Sequence, residues 1–152
     1  MDNIWKYVEK FDSEVVIKIE KTLGIQFPSE YIEGLHAFNR GKPQKSLFAL
    51  SAKKECVLDY MIDLESCVGI ANNIGIKGFV PFASDPFGNY LGFNFIDGKA
   101  NVSYWNHETK ELVFVADSFE NFLGALYEKS DKKGRKLSKQ GIRRFKKVNP
   151  MR

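Results

Sequence analysis

In the first forty residues of this chain apolar side chains recur at three- and four-residue intervals, whereas from residue 79 onward they alternate between short clusters of turn formers. The first pattern suits a helix buried along one stripe, the second a strand buried on one face. Helices, then an antiparallel meander, then a closing helix predict a single α+β domain. A length of 152 residues suits one domain with one core.

The local signals fill in that outline. Ile4, Trp5, Val8 and Phe11 lie at helical spacings and predict a short amphipathic helix. A second helix is predicted over 13–23, capped by Asp12 or Ser13, with Val16, Ile19 and Leu23 on one face and Gly24 ending it left-handed. Pro28 suits the first turn of a third helix, with Ile32, Leu35 and Phe38 buried, and 39–43 stops it. A strand is expected over 46–50, while 56–76 shows no clean repeat. Strands follow over 79–83, 90–96, 102–105 and 112–116. Turns separate them at 84–89, at Asp97-Gly98 and at 107–110. Asp117 or Ser118 caps a last helix, expected to pack on the sheet, that carries Phe119, Phe122, Leu123, Leu126 and Tyr127.

Charge divides the chain. Residues 129–152 hold eleven Lys or Arg against one acid, Asp131, which leaves twelve basic and eighteen acidic residues in 1–128. The body is therefore mildly acidic and the tail strongly basic. Lys132, Lys133, Arg135, Lys136, Lys139, Arg143, Arg144, Lys146 and Lys147 could neutralise phosphates, but Phe145 is the tail's only ring, and single-strand binders interleave aromatics. A solvated tail, or one packed on the acidic body, is the simpler reading. No apolar run is long enough to span a bilayer, so no membrane partner is expected. The opening stretch from Met1 to Lys6 lacks an apolar leader, and a cytoplasmic protein is expected.

Chemistry leaves few traces. Cys56 and Cys67 lie outside any C-x-x-C spacing and read as free thiols. His36 and His107, the only histidines, have no ligand at metal spacing, and no nucleophile elbow, P-loop or dinucleotide fingerprint occurs. Asp59, Asp63 and Glu65 form one acidic cluster, and Glu108 and Glu111 another; both read as solvated faces. A distant Cys–His pair stays possible on sequence alone. The reading is of a non-enzyme without metal, cofactor or catalytic residues.

Four stretches carry a resemblance. Leu23-Gly24-Ile25-Gln26-Phe27-Pro28-Ser29-Glu30-Tyr31 with Asn39-Arg40-Gly41, then 80–90 (Val80-Pro81-Phe82-Ala83-Ser84-Asp85 through Gly88-Asn89-Tyr90), then Val102 to Glu108 around Trp105 and His107, and finally Ser118-Phe119-Glu120-Asn121-Phe122-Leu123 occur in one order. Together they resemble the SUKH superfamily, the Smi/Knr-type domains, over about residues 23–126. The resemblance implies an α+β domain over 1–128, with 129–152 as an extension. For most bacterial members it implies immunity against toxins, often nucleases, passed between neighbouring cells. Fungal relatives act in cell-wall regulation and signalling.

The motif residues also have physical readings. Gly88 is expected at positive φ, with Asp85 and Asn89 bonding to the turn backbone, and Phe82, Trp105, Phe119 and Phe122 in the core. The expected partner is a cognate protein toxin, bound stoichiometrically through acidic contacts that match a nuclease's basic cleft. The candidate contacts are Glu30, Glu33, Asp59, Asp63, Glu65, Asp85, Glu108 and Glu111, with Tyr31, Tyr90, Tyr104 or Trp105 as aromatic anchors where exposed. The alternative is a regulatory or scaffold protein that contacts nucleic acid through the tail. Nothing in the sequence specifies an oligomeric state.

Overall fold

A computed structural model describes residues 3–129, and the switch of hydrophobic period in the sequence is its main architectural boundary. Helices α1 (Glu14–Leu23) and α2 (Ser29–Phe38) follow a short N-terminal strand. The backbone N–H of Glu14 donates to Asp12 Oδ1 (3.0 Å), and Gly24 closes α1 at φ 68°. Pro28 is the N-cap of α2. The buried stripe of α2 is Tyr31, Leu35 and Phe38, with Ile32 only half-buried, so the face is rotated by one residue at its start from the one expected.

The N-terminal segment is not a helix. Strand β1 (Trp5–Lys6) pairs antiparallel with β2 (Lys42–Pro43). The Asn3 side chain reinforces that pairing, donating to the Lys45 carbonyl (2.9 Å) and accepting from the Lys45 N–H (2.9 Å). Tyr7 at φ 64° is incompatible with a helix there. The apolar residues at helical spacing instead serve an extended segment: Trp5 packs on Phe38 (5.5 Å between centroids) and Phe11 on His36 (4.6 Å), while Ile4 and Val8 stay exposed.

Strands β3 (Leu47–Ser51) and β4 (Lys54–Val57) form a separate hairpin. The stretch without a clean repeat holds the end of β4, then β5 (Tyr60–Met61), a 3-10 turn and α3 (Cys67–Ile74). The remaining strands are β6 (Phe79–Ser84), β7 (Tyr90–Ile96), β8 (Lys99–Trp105) and β9 (Leu112–Ala116). With β5 they form a five-stranded antiparallel sheet in the order β5-β6-β7-β8-β9. Asp97 (φ 51°) and Gly98 (φ 80°) make the tight turn between β7 and β8, both positive as a type I′ hairpin requires. The closing helix α4 (Phe119–Ala125) is capped by Ser118 Oγ, which accepts from the Asn121 N–H (3.1 Å). It ends before the expected Leu126 and Tyr127; Tyr127 instead forms a β-bridge with Leu47.

One face of the sheet carries Leu91, Phe93, Val102 and Tyr104 into the core, where Phe27, Tyr31 and Phe38 meet Phe82, Phe93, Phe119 and Phe122. Phe82 is the extra residue of a bulge in β6, between the Pro81–Gly92 and Ala83–Leu91 pairs. The basic tail expected over 129–152 lies, apart from Lys129, outside the described residues.

Candidate functional site

The β6–β7 and β8–β9 turns meet at one end of the sheet because one buried carboxylate ties them to the strands below. Asp85 is 7% exposed. Its Oδ1 accepts from the backbone N–H of Phe87 (2.8 Å) and of Asn89 (2.9 Å). Its Oδ2 accepts from Asn89 Nδ2 (2.9 Å) and from the Tyr104 hydroxyl (2.8 Å). Four donors thus compensate the burial of one charge, as a carboxylate in this setting requires. Gly88, at φ 94°, completes the turn as expected.

Asn89 carries the tie across to the second turn. Its Nδ2 must face the acceptor Asp85, so its Oδ1 faces His107, where it accepts from the backbone N–H (2.9 Å) and lies 2.7 Å from the ring Nδ1. An amide oxygen only accepts, and Nδ1 therefore carries the ring proton in this contact. Asn106 Oδ1 in turn accepts from the N–H of Glu108 (2.8 Å) and of Thr109 (3.2 Å), and Lys110 adopts φ 65°. Both turns are fixed by side-chain hydrogen bonds rather than left to loop entropy.

Beneath the turns runs a row of directly paired residues, Tyr60, Ser84, Tyr90, Trp105 and Leu112, which share one face of the sheet. Tyr90 stacks on Trp105 (6.3 Å, 26°), and the Lys110 ammonium sits 5.5 Å from the Trp105 ring centroid. The Ser84 hydroxyl and the Trp105 indole N–H are buried without a hydrogen-bond partner among the described residues. At the tip of the first turn the Phe87 ring is 73% exposed, and Tyr60 is exposed nearby on β5.

The sequence-derived candidates divide against this geometry. Tyr31 and Tyr104 are each only 2% exposed. Tyr31 is the centre of ring contacts on α2, and Tyr104 bonds Asp85; neither is the exposed anchor expected. Asp85 directs its charge inside the protein, and Trp105 is buried, but beside Tyr90 on the sheet face opposite the Phe82, Phe93 and Phe119 core rather than within that core as expected. Tyr90 is half-buried. Asp59 is paired with Lys42, and Asp63 lies 3.9 Å from Arg40, which also meets Glu9 at 3.5 Å. Glu33, Glu65, Glu108 and Glu111 are exposed and Glu30 half-buried, and none of the five has an ion pair among the described residues. Phe87 had been legible only as a turn residue, because its exposure depends on the turn's path. A cleft of about 310 Å³ lies among Arg40, Tyr60, Ile62, Asp63, Ser66 and Ile70. Its charges already satisfy each other.

The reactive groups are sequestered. Cys56 and Cys67 are free and buried. The Cys67 thiol donates to the Pro81 carbonyl (3.6 Å), and burial pushes its pKa up to about 12. Burial likewise raises the Cys56 thiol. No hydrogen bond joins either thiol to a histidine among the described residues, so the Cys–His pair left open by sequence is not assembled there. Nor do three His, Cys, Asp or Glu side chains gather to hold a metal among those residues.

Alkali tests this burial. Cys67 loses its proton near its ordinary value of 9.0 when unfolded, but only near about 12 when folded. Burial also raises Tyr31, and burial with the Asp85 hydrogen bond raises Tyr104, both from 10.0. The folded state then holds more protons than the unfolded one, so stability is full below about pH 9 and falls as pH rises towards 12. Denaturant midpoints measured from pH 7 to 11 should decline above pH 9, with a limiting slope of about 1.4 kcal/mol per pH unit for each such group. A flat profile to pH 11 would contradict the burial of these groups.

No helix among the described residues is long and apolar enough to cross a membrane. No curated protein matches the chain. The family model described as SMI1-KNR4 cell-wall, of the SUKH group, matches residues 13–123, from the cap of α1 into α4. That span includes both tied turns and most of the chain, and on it the chain belongs to the SUKH superfamily.

Proposed function

We propose that this chain is an immunity protein that binds a toxin protein stoichiometrically and blocks it, without catalysis of its own. The observation that carries this reading is the family match over 13–123, since toxin immunity is consistent with that family. The chemistry supports it. Both thiols are buried with raised pKa values, and the two histidines are engaged with Phe11 and with Asn89. What the body carries is charge: eighteen acids, the buried Asp85 among them, against twelve bases in residues 1–128. A nuclease cleft must attract phosphate and is therefore basic, so an acidic inhibitor is steered towards it and then fills it. The partner is accordingly a nuclease toxin domain met in the cytoplasm.

The test is rescue. Cells expressing the C-terminal domain of the protein encoded beside this chain's gene should die alone and survive when they co-express the chain, and the two proteins should co-purify. Death despite full expression of the chain would overturn the proposal. The alternative of a regulatory nucleic-acid binder rests on the tail's eleven basic residues. It predicts that deleting 130–152 abolishes activity, whereas the immunity reading predicts that protection survives the deletion.

A further inference from the structure

The two tied turns at the end of the sheet carry two features that point outward, and a third lies buried just beneath them. The first is Phe87, a ring 73% exposed on a backbone held by the buried Asp85. An exposed aromatic normally belongs to a mobile loop, where ordering it on binding costs entropy. Here the backbone under Phe87 is already fixed through Asp85, Asn89 and Tyr104, so docking the ring sacrifices little freedom.

The second feature is charge without internal compensation. Asp59 and Asp63 face Lys42 and Arg40. Glu108 and Glu111 have no ion pair among the described residues, and the lysine between them is drawn onto the Trp105 ring. Two free carboxylates therefore flank the second turn, which Asn89 ties to the Phe87 loop. The third feature is unsatisfied polarity. Ser84 and Trp105, 5% and 7% exposed, bracket Tyr90 in the row below, and each has a polar group without a partner. Native domains leave few such groups, and both of these lie in the row beneath the two turns.

We infer that the turns at 85–89 and 106–111 form the docking surface for a basic protein partner, with Phe87 as the anchor and Glu108 and Glu111 as the flanking charges. The proposal rests on the immunity reading and specifies its interface. The partner presents an apolar pocket for the Phe87 ring, bordered by Lys or Arg side chains that meet the two glutamates. Ile17 on α1 is also exposed, but it is a flexible aliphatic side chain set between Glu14, Lys18 and Lys21.

The experiment titrates the full chain by calorimetry against the C-terminal domain of the protein encoded beside its gene, once that domain alone has proved toxic to cells. The chain is used as wild type and as Phe87→Ala, Glu108→Lys/Glu111→Lys, Glu30→Lys/Glu33→Lys and Ile17→Ser. Phe87→Ala should weaken binding by about 30-fold or more, as loss of a central anchor does. The 108/111 pair should weaken binding and flatten its salt dependence, Ile17→Ser should bind as wild type, and all should unfold near the wild-type midpoint. If the wild type binds but neither the Phe87 nor the 108/111 variant weakens it, the surface is wrong while the immunity reading stands. Loss confined to the 30/33 variant would move the interface to α2 and overturn the proposal. If the wild type itself does not bind, the immunity reading fails and the interface with it. Sedimentation of the chain alone supplies the last check: a dimer that Phe87→Ala dissociates would assign the surface to a second copy instead.

Discussion

Asp85→Ala should lower the unfolding free energy by about 3–5 kcal/mol, enough to bring a domain of ordinary stability near the edge of folding. The carboxylate accepts four hydrogen bonds, and its removal strands the Asn89 N–H, the Asn89 amide and the Tyr104 hydroxyl in buried surroundings. Each stranded donor costs about 1–3 kcal/mol, less whatever water recovers in the cavity. Asp85→Asn keeps one acceptor oxygen but turns a donor towards donors, so a smaller loss is expected. Urea denaturation of the three proteins measures both values. A loss under about 1 kcal/mol for the alanine variant would show that the network is peripheral to stability.

Phe93→Ala should cost a similar amount, about 3–5 kcal/mol, for a different reason. Phe93 is fully buried, and its ring meets Phe82 (4.7 Å), Tyr31 (5.1 Å), Phe119 (5.7 Å) and Phe27 (6.1 Å). These neighbours come from α2, β6, α4 and the segment before α2, so no single element can relax into the space. Phe87→Ala, the same chemical change at an exposed ring, should alter stability by no more than about 0.5 kcal/mol. Equal losses at the two positions would contradict the arrangement of inner and outer rings.

Sequence legibility followed the range of the interactions involved. Gly24, Pro28 and Asp97-Gly98 act through their own backbone preferences, and helix ends and hairpin fell where those preferences put them. The N-terminal segment failed because its helical spacing was real but its structure is set by pairing with β2 and by Asn3, contacts some forty residues away in sequence. Helix α3 was hidden because Cys67-Val68-Gly69-Ile70 with Asn72-Asn73 is a poor helix former, held by packing against β6 rather than by propensity.

The site divided in the same way. Asp85, Gly88 and Asn89 were legible as turn formers, since their bonds to the turn backbone are local. Their reach to Tyr104 and His107 was not, because it depends on the register of β7 against β8. Tyr31 was misplaced as a surface anchor because residues 31, 35 and 38 and residues 32, 35 and 38 both fit a helical stripe, and only packing against the sheet decides between them. The two acidic clusters were visible as composition. That Asp59 and Asp63 are paired internally, while Glu65, Glu108 and Glu111 have no ion pair among the described residues, is a fact of tertiary structure.

Inhibition by stoichiometric binding is measured by titrating the activity of the purified toxin domain with the purified full chain. Activity should fall linearly and vanish near one equivalent, with no loss of covalent integrity in the toxin. Complete inactivation at a small fraction of an equivalent would mean turnover and contradict a non-catalytic inhibitor. Undiminished activity at several equivalents would contradict immunity altogether.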